Sequence, residues 1–134
     1  MIDEEPIRTV VLLVEDNIDL NLAMREILES CGYEVLAAEN GVQAIRVLEE
    51  QIPDVILCDI MMPEMDGIET TRRIREQLEL KDIPIIALTA LAMAGDRERC
   101  LEAGMNDYMS KPVKLKELLS IIEKYLKPGK EGTQ

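Results

Sequence analysis

The chain contains no histidine, tryptophan or phenylalanine. Without histidine there is no Ser–His or Cys–His nucleophile, no imidazole metal site and no phosphohistidine on this chain. Its chemistry falls to carboxylates, lysine, threonine, tyrosine, cysteine and backbone. Three tyrosines (Tyr33, Tyr108, Tyr125) are its only aromatics, so the core must be aliphatic. The cysteines Cys31, Cys58 and Cys100 are far apart and form no CxxC. This argues against a disulfide framework, a zinc ribbon or a redox motif. They are expected to be free thiols in a reducing compartment, packed as small buried hydrophobes, Cys58 above all. No apolar run approaches the length of a membrane span. The acidic start "MIDEEPIRT" lacks the apolar segment of a signal peptide. A cytoplasmic protein with no membrane segment is the expectation.

Positive charge is also short. Fifteen Lys and Arg face 27 Asp and Glu, a net charge of −12, which argues against direct binding to nucleic acid. From Lys111 onward six lysines face three glutamates, locally +3. Solvated helix faces account for that segment, with a docking surface as the sharper reading.

With 134 residues, 47% of them apolar, the chain can build one domain with its own core. Residues 1–7 read as a short leader, 8–127 as the domain and 128–134 as a flexible tail. Within the domain, short apolar runs alternate with helical patterns. Strands are expected over 9–15, 33–39, 54–59, 83–89 and 105–110. Helices are expected over 18–32, 41–51, 67–80, 95–104 and 114–126. Leu20, Met24, Ile27, Leu28 and Cys31 form the first helix's apolar face, and Val42, Ile45 and Leu48 the second's. Five βα units predict an α/β fold of three layers, a parallel sheet with helices on both faces. In such sheets ligands bind beyond the carboxyl ends of the strands.

Those ends are distinctive. The first strand runs into Glu15 and Asp16, the third into Asp59, the fourth into Thr89, and Lys111 follows the fifth. Each residue alone is an ordinary cap or turn residue. If the first, third, fourth and fifth strands are neighbours, together they bring three carboxylates, a hydroxyl and an ammonium to one pocket. Crowded carboxylates raise one another's pKa, and a hard divalent cation relieves the repulsion. Few protein oxygens plus retained waters suit Mg²⁺. Lys111 and Thr89 can hold an oxyanion, which makes this a phosphoryl site in which a carboxylate attacks in line.

The pieces "LLVEDN", "DVILCDIMMPEMDG", "IIALTA" and "GMNDYMSKP" occur in order over residues 8–127. In them the chain resembles a response-regulator receiver domain of two-component signalling, of the chemotaxis-regulator type or from a hybrid histidine kinase. The resemblance implies a flavodoxin-like sheet of order 2-1-3-4-5. It implies that Asp59 accepts a phosphoryl group from a phosphohistidine of a histidine kinase or histidine phosphotransfer protein. Glu15, Asp16, Asp59 and the Met61 backbone carbonyl would hold Mg²⁺, with Mn²⁺ as a substitute. Thr89 and Lys111 would hold the phosphoryl oxygens, Thr89 and Tyr108 would form the switch, and Lys111–Pro112 would be cis. It further implies a signalling domain, not an enzyme beyond its own phosphorylation and slow autodephosphorylation. Apolar Met61 and Leu91 beside the site underlie the slow hydrolysis. A monomer or weak dimer is expected. It would contact a downstream protein target through Tyr108 and residues 93–103 and 114–125, with the small apolar segment 90–95 rearranging.

Competing readings fare worse. A haloacid-dehalogenase-type phosphatase needs a second Asp where Met61 stands, and a flavin phosphate would be repelled by "VEDN". A receiver-like interaction module that works without phosphorylation is the remaining alternative. Asp66 is expected to cap a helix, since Glu69 follows three residues on as in a capping box.

Overall fold

The computed structural model describes residues 8–90 and 95–126. Five strands, β1 (Val10–Val14), β2 (Glu34–Ala38), β3 (Val55–Asp59), β4 (Ile85–Thr89) and β5 (Asp107–Ser110), alternate with five helices. The helices are α1 (Ile18–Ser30), α2 (Gly41–Glu50), α3 (Gly67–Glu76), α4 (Asp96–Ala103) and α5 (Leu115–Tyr125). All strand pairs are parallel, in the order β2-β1-β3-β4-β5.

Side chains of a strand point alternately to its two faces, and this divides the core in two. Leu12, Val14, Ile56, Cys58, Ile85 and Ala87 meet Ala44 and Leu48 of α2, Ile68 and Ile74 of α3, and Cys100 of α4. Val11, Leu13, Val55, Leu57, Ile86 and Leu88 meet Met24 and Leu28 of α1 and Leu118 and Ile122 of α5. β1, β3 and β4 therefore have apolar bodies covered on both sides. A charge on such a strand is tolerated only where the chain leaves the sheet.

Several elements differ from expectation. α3 stops at Glu76, not Leu80. Leu78 and Leu80 keep the apolar spacing but reach the core from a turn in which Glu79 is left-handed (φ 57°). Arg75 secures that turn, donating to the Leu80 carbonyl at 2.8 Å while two other nitrogens reach the Gly104 carbonyl. In α2 the buried face is Gly41, Ala44 and Leu48, and Val42 is exposed. The helix presents its small residues to α3, where a Cβ on Gly41 would overlap Thr70 Oγ1 and Met65 Sδ. Cys31 is exposed just past α1, so only Cys58 and Cys100 are buried thiols. Tyr125 packs against the α1–α5 half of the core with its hydroxyl 2.8 Å from Asp107 Oδ2.

Asp66 caps α3, its Oδ1 accepting from the Glu69 amide at 2.9 Å. The reciprocal half of the box is missing, because the Glu69 carboxylate instead takes Arg73 Nε at 3.0 Å. Asparagine caps as well as aspartate. Asp66→Asn is therefore expected to change stability by less than about 0.5 kcal/mol, and Asp66→Ala to cost about 1 kcal/mol. Urea unfolding of the two variants checks this.

Candidate functional site

β1, β3, β4 and β5 are adjacent, so their carboxyl ends share one edge. β3 ends on Asp59, whose register partner in β4 is Leu88, placing Thr89 one residue farther along. The Lys111 amide donates to the Thr89 carbonyl at 2.7 Å, which carries Lys111 onto the same edge. The Lys111–Pro112 bond is cis, as the resemblance implies.

Neighbours in an extended strand face opposite sides, yet Glu15 and Asp16 share one cluster. The chain bends at Asp16, and carboxylate oxygens of Glu15, Asp16 and Asp59 lie within 4.8 Å of one another. Glu15 is 1% exposed and Asp59 3%. Lys111 Nζ lies 2.8 Å from Glu15 Oε1 and 3.3 Å from Asp59 Oδ2. The second Glu15 oxygen accepts from the Asn17 amide at 3.0 Å, and Asp59 Oδ1 accepts from the Met61 amide at 3.2 Å.

Burial, and then the Glu15 charge, push the Asp59 carboxyl up to about 6, against the pull of Lys111 and the Met61 amide. Burial works against the Lys111 ammonium, but the Glu15 hydrogen bond and the Asp59 charge outweigh it and hold the group above the ordinary lysine value. The cluster thus holds more negative charge than its one lysine neutralises. All its donors are hard oxygens. It fits a small divalent cation with retained waters.

Thr89 is 2% exposed. It lines a cavity of about 60 Å³ together with Tyr108, Met61, Ile68, Arg99 and Cys100. The cavity runs from the end of β4 to α4 and β5, so Thr89 and Tyr108 border one space. The Met61 side chain is 57% exposed. Leu91 and the rest of residues 91–94 lie outside the described residues, as do the leader 1–7 and the tail 128–134, so the expectations placed on them rest on sequence.

One feature escaped the sequence reading. Between α1 and α5 lies an apolar groove of about 290 Å³, lined by Ala23, Ile27, Pro112, Val113 and Leu115 and reaching Lys111. Ile27 and Leu115 are 40% and 44% exposed. The available signal was an excess of apolar residues on α1, more than one buried stripe needs.

The family model for the response regulator receiver domain matches residues 11–123. The polar-differentiation response regulator DivK of Brucella anthropi is 42% identical over 117 residues, covering 87% of this chain and 94% of that protein. Among solved structures, the receiver domain of the sensor histidine kinase PA1611 of Pseudomonas aeruginosa superposes with a TM-score of 0.81 at 46% identity. That match covers 89% of this chain and 98% of that one, and that receiver has a magnesium ion coordinated in its active-site cleft. The chemotaxis protein CheY4 of Vibrio cholerae superposes with a TM-score of 0.85 at 29% identity, covering 90% of this chain and all of that one. Fold, matched segment and relatives agree: this chain belongs to the response regulator receiver domain family of two-component signalling.

Proposed function

We propose that this domain is a phosphoryl-accepting switch in which Asp59 is the acceptor. The observation that carries the reading is the placement of Asp59. It is buried at the end of β3, 3.3 Å from Lys111 Nζ and clustered with two further carboxylates. A carboxylate oxygen of Asp59 forms the new P–O bond as the P–N bond of a donor phosphohistidine breaks and the imidazole nitrogen keeps the electron pair. Glu15, Asp16, Asp59 and the Met61 carbonyl would hold Mg²⁺, with Mn²⁺ able to replace it. Bound there, the cation supplies charge neutralisation on the phosphoryl oxygens. Lys111, tethered by Glu15, is placed to meet those oxygens as they arrive, and the Thr89 hydroxyl at the next strand end is placed to donate to one of them. Movement of Thr89 would alter the cavity it shares with Tyr108, carrying the change to the α4–β5 surface where a downstream protein binds.

Radiolabelled acetyl phosphate tests this reading. Label enters the protein with Mg²⁺ and not with a chelator; equal labelling in both would count against it.

The α1–α5 groove suits an apolar contact from the phosphohistidine-bearing protein, because it opens beside Lys111. Ile27→Glu is expected to slow transfer from such a protein about tenfold, the equivalent of about 1.4 kcal/mol, and to leave acetyl phosphate labelling unchanged. Equal losses with both donors would place the effect in the site rather than in docking.

A further inference from the structure

Asn21 lies on the buried side of α1, 6% exposed, next to aliphatic Met24 and Leu28 on the same face. Asparagine is a weak helix former, and a buried amide has to be satisfied. Both uses of its nitrogen lead to the site edge. Asn21 Nδ2 donates to the Glu15 carbonyl at 3.0 Å and to the Ala38 carbonyl at 3.2 Å. Ala38 ends β2, and its carbonyl also accepts the Glu15 amide at 3.0 Å. One side chain thus ties α1 to the ends of both strands.

The Glu15 carbonyl belongs to the peptide unit that joins Glu15 to Asp16. Its orientation sets ψ of Glu15 and φ of Asp16, and those angles decide where the two acids point. Without the bend the two would face opposite sides of the strand. The first of them is also held at its carboxylate by the Asn17 amide, so the segment is pinned at backbone and side chain alike.

We propose that Asn21 is a positioning residue for the cation-binding carboxylates, its buried amide locking the Glu15–Asp16 peptide so that both acids face Asp59. The inference rests on the reading of Glu15, Asp16 and Asp59 as a Mg²⁺ site. Partners behind metal-binding groups commonly contribute 10–100-fold to affinity.

The test is calorimetric titration of Mg²⁺ into the parent protein, Asn21→Leu, which keeps the size and loses both donors, and Ile122→Val. Ile122→Val weakens the same half of the core away from the site. Asn21→Leu is expected to bind Mg²⁺ about tenfold more weakly or worse, while Ile122→Val binds like the parent. Asn21→Leu binding within twofold of the parent would overturn the proposal and leave Asn21 as a packing residue. A parent that binds no Mg²⁺ would instead remove the metal-site reading, and the proposal with it. Should Asn21→Leu fail to fold, NMR of the parent decides. Slowly exchanging Asn21 side-chain amide protons that shift on Mg²⁺ addition support the role. A fast-exchanging, unshifted amide overturns it.

Discussion

Asp59→Asn is expected to accept no phosphoryl group and, in metal-free buffer at pH 7, to melt at a higher temperature than the parent. Both results follow from the environment of one carboxylate. The amide cannot form the acyl phosphate, so labelling falls to background. The gain in stability follows from linkage. Asp59 titrates near 6 in the folded protein, against 3.8 for an ordinary aspartate. Between these values the folded chain holds more protons than the unfolded one, so stability falls as pH rises from about 4 to about 6. By pH 7 the penalty is fully present, and asparagine removes it. After allowance for solvent screening the gain is on the order of 1–2 kcal/mol. Lys111 keeps its Glu15 partner in the variant, so the substitution strands no charge. Thermal melts in a chelator at pH 4 and pH 7 check this: the advantage of Asp59→Asn appears at pH 7 and shrinks at pH 4. An equal difference at both would show that ionisation of Asp59 is not the cause.

Gly67→Ala is expected to be among the most damaging single-methyl additions in the chain. Gly67 opens α3 directly against the end of β3, its amide donating to the Ile60 carbonyl at 2.9 Å. A Cβ there would overlap the Asp59 carbonyl oxygen and come within 2.9 Å of Ile60 Cα. Both obstacles are backbone, so relief requires the strand end or the helix to move. Overpacking of this kind costs about 1–3 kcal/mol, a fall in melting temperature of about 4–11 °C for a domain of this size. The atom displaced belongs to Asp59, the proposed acceptor, so phosphoryl uptake is expected to fall as well. Gly41→Ala is the informative comparison, because the groups it meets are side chains, Met65 Sδ and the Thr70 Oγ1 that donates to the Asp66 carbonyl, and not backbone. A Gly67→Ala protein as stable as Gly41→Ala would show that the β3–α3 contact is looser than described.

The strand ends were legible in the sequence because long aliphatic bodies leave a charge only one place to stand. Glu15 and Asp59 were readable for that reason, Thr89 and Lys111 from their order at the ends of the fourth and fifth strands, and the parallel α/β architecture from the alternation of strands and helices. Legibility failed where helical spacing continued beyond the helix, as at Leu78 and Leu80, or where backbone approach outweighed hydrophobicity. Val42 faces solvent because Gly41 and Ala44 let α2 come close to α3. Cys31 sits one residue past the end of α1, where apolar spacing no longer implies burial. Asn21 could not be read at all, and the α1–α5 groove left only a surplus of apolar residues on α1 as its sign. The first depends on which carbonyls end beneath α1, the second on the placement of two helices far apart in sequence.

Mass spectrometry of the parent protein after incubation with acetyl phosphate and Mg²⁺ decides whether Asp59 takes a phosphoryl group. A gain of one phosphoryl group is expected, dependent on the cation and mapped by peptide analysis to Asp59. No gain from acetyl phosphate or from a phosphorylated histidine phosphotransfer protein, or a phosphoryl group on any other residue, would contradict it.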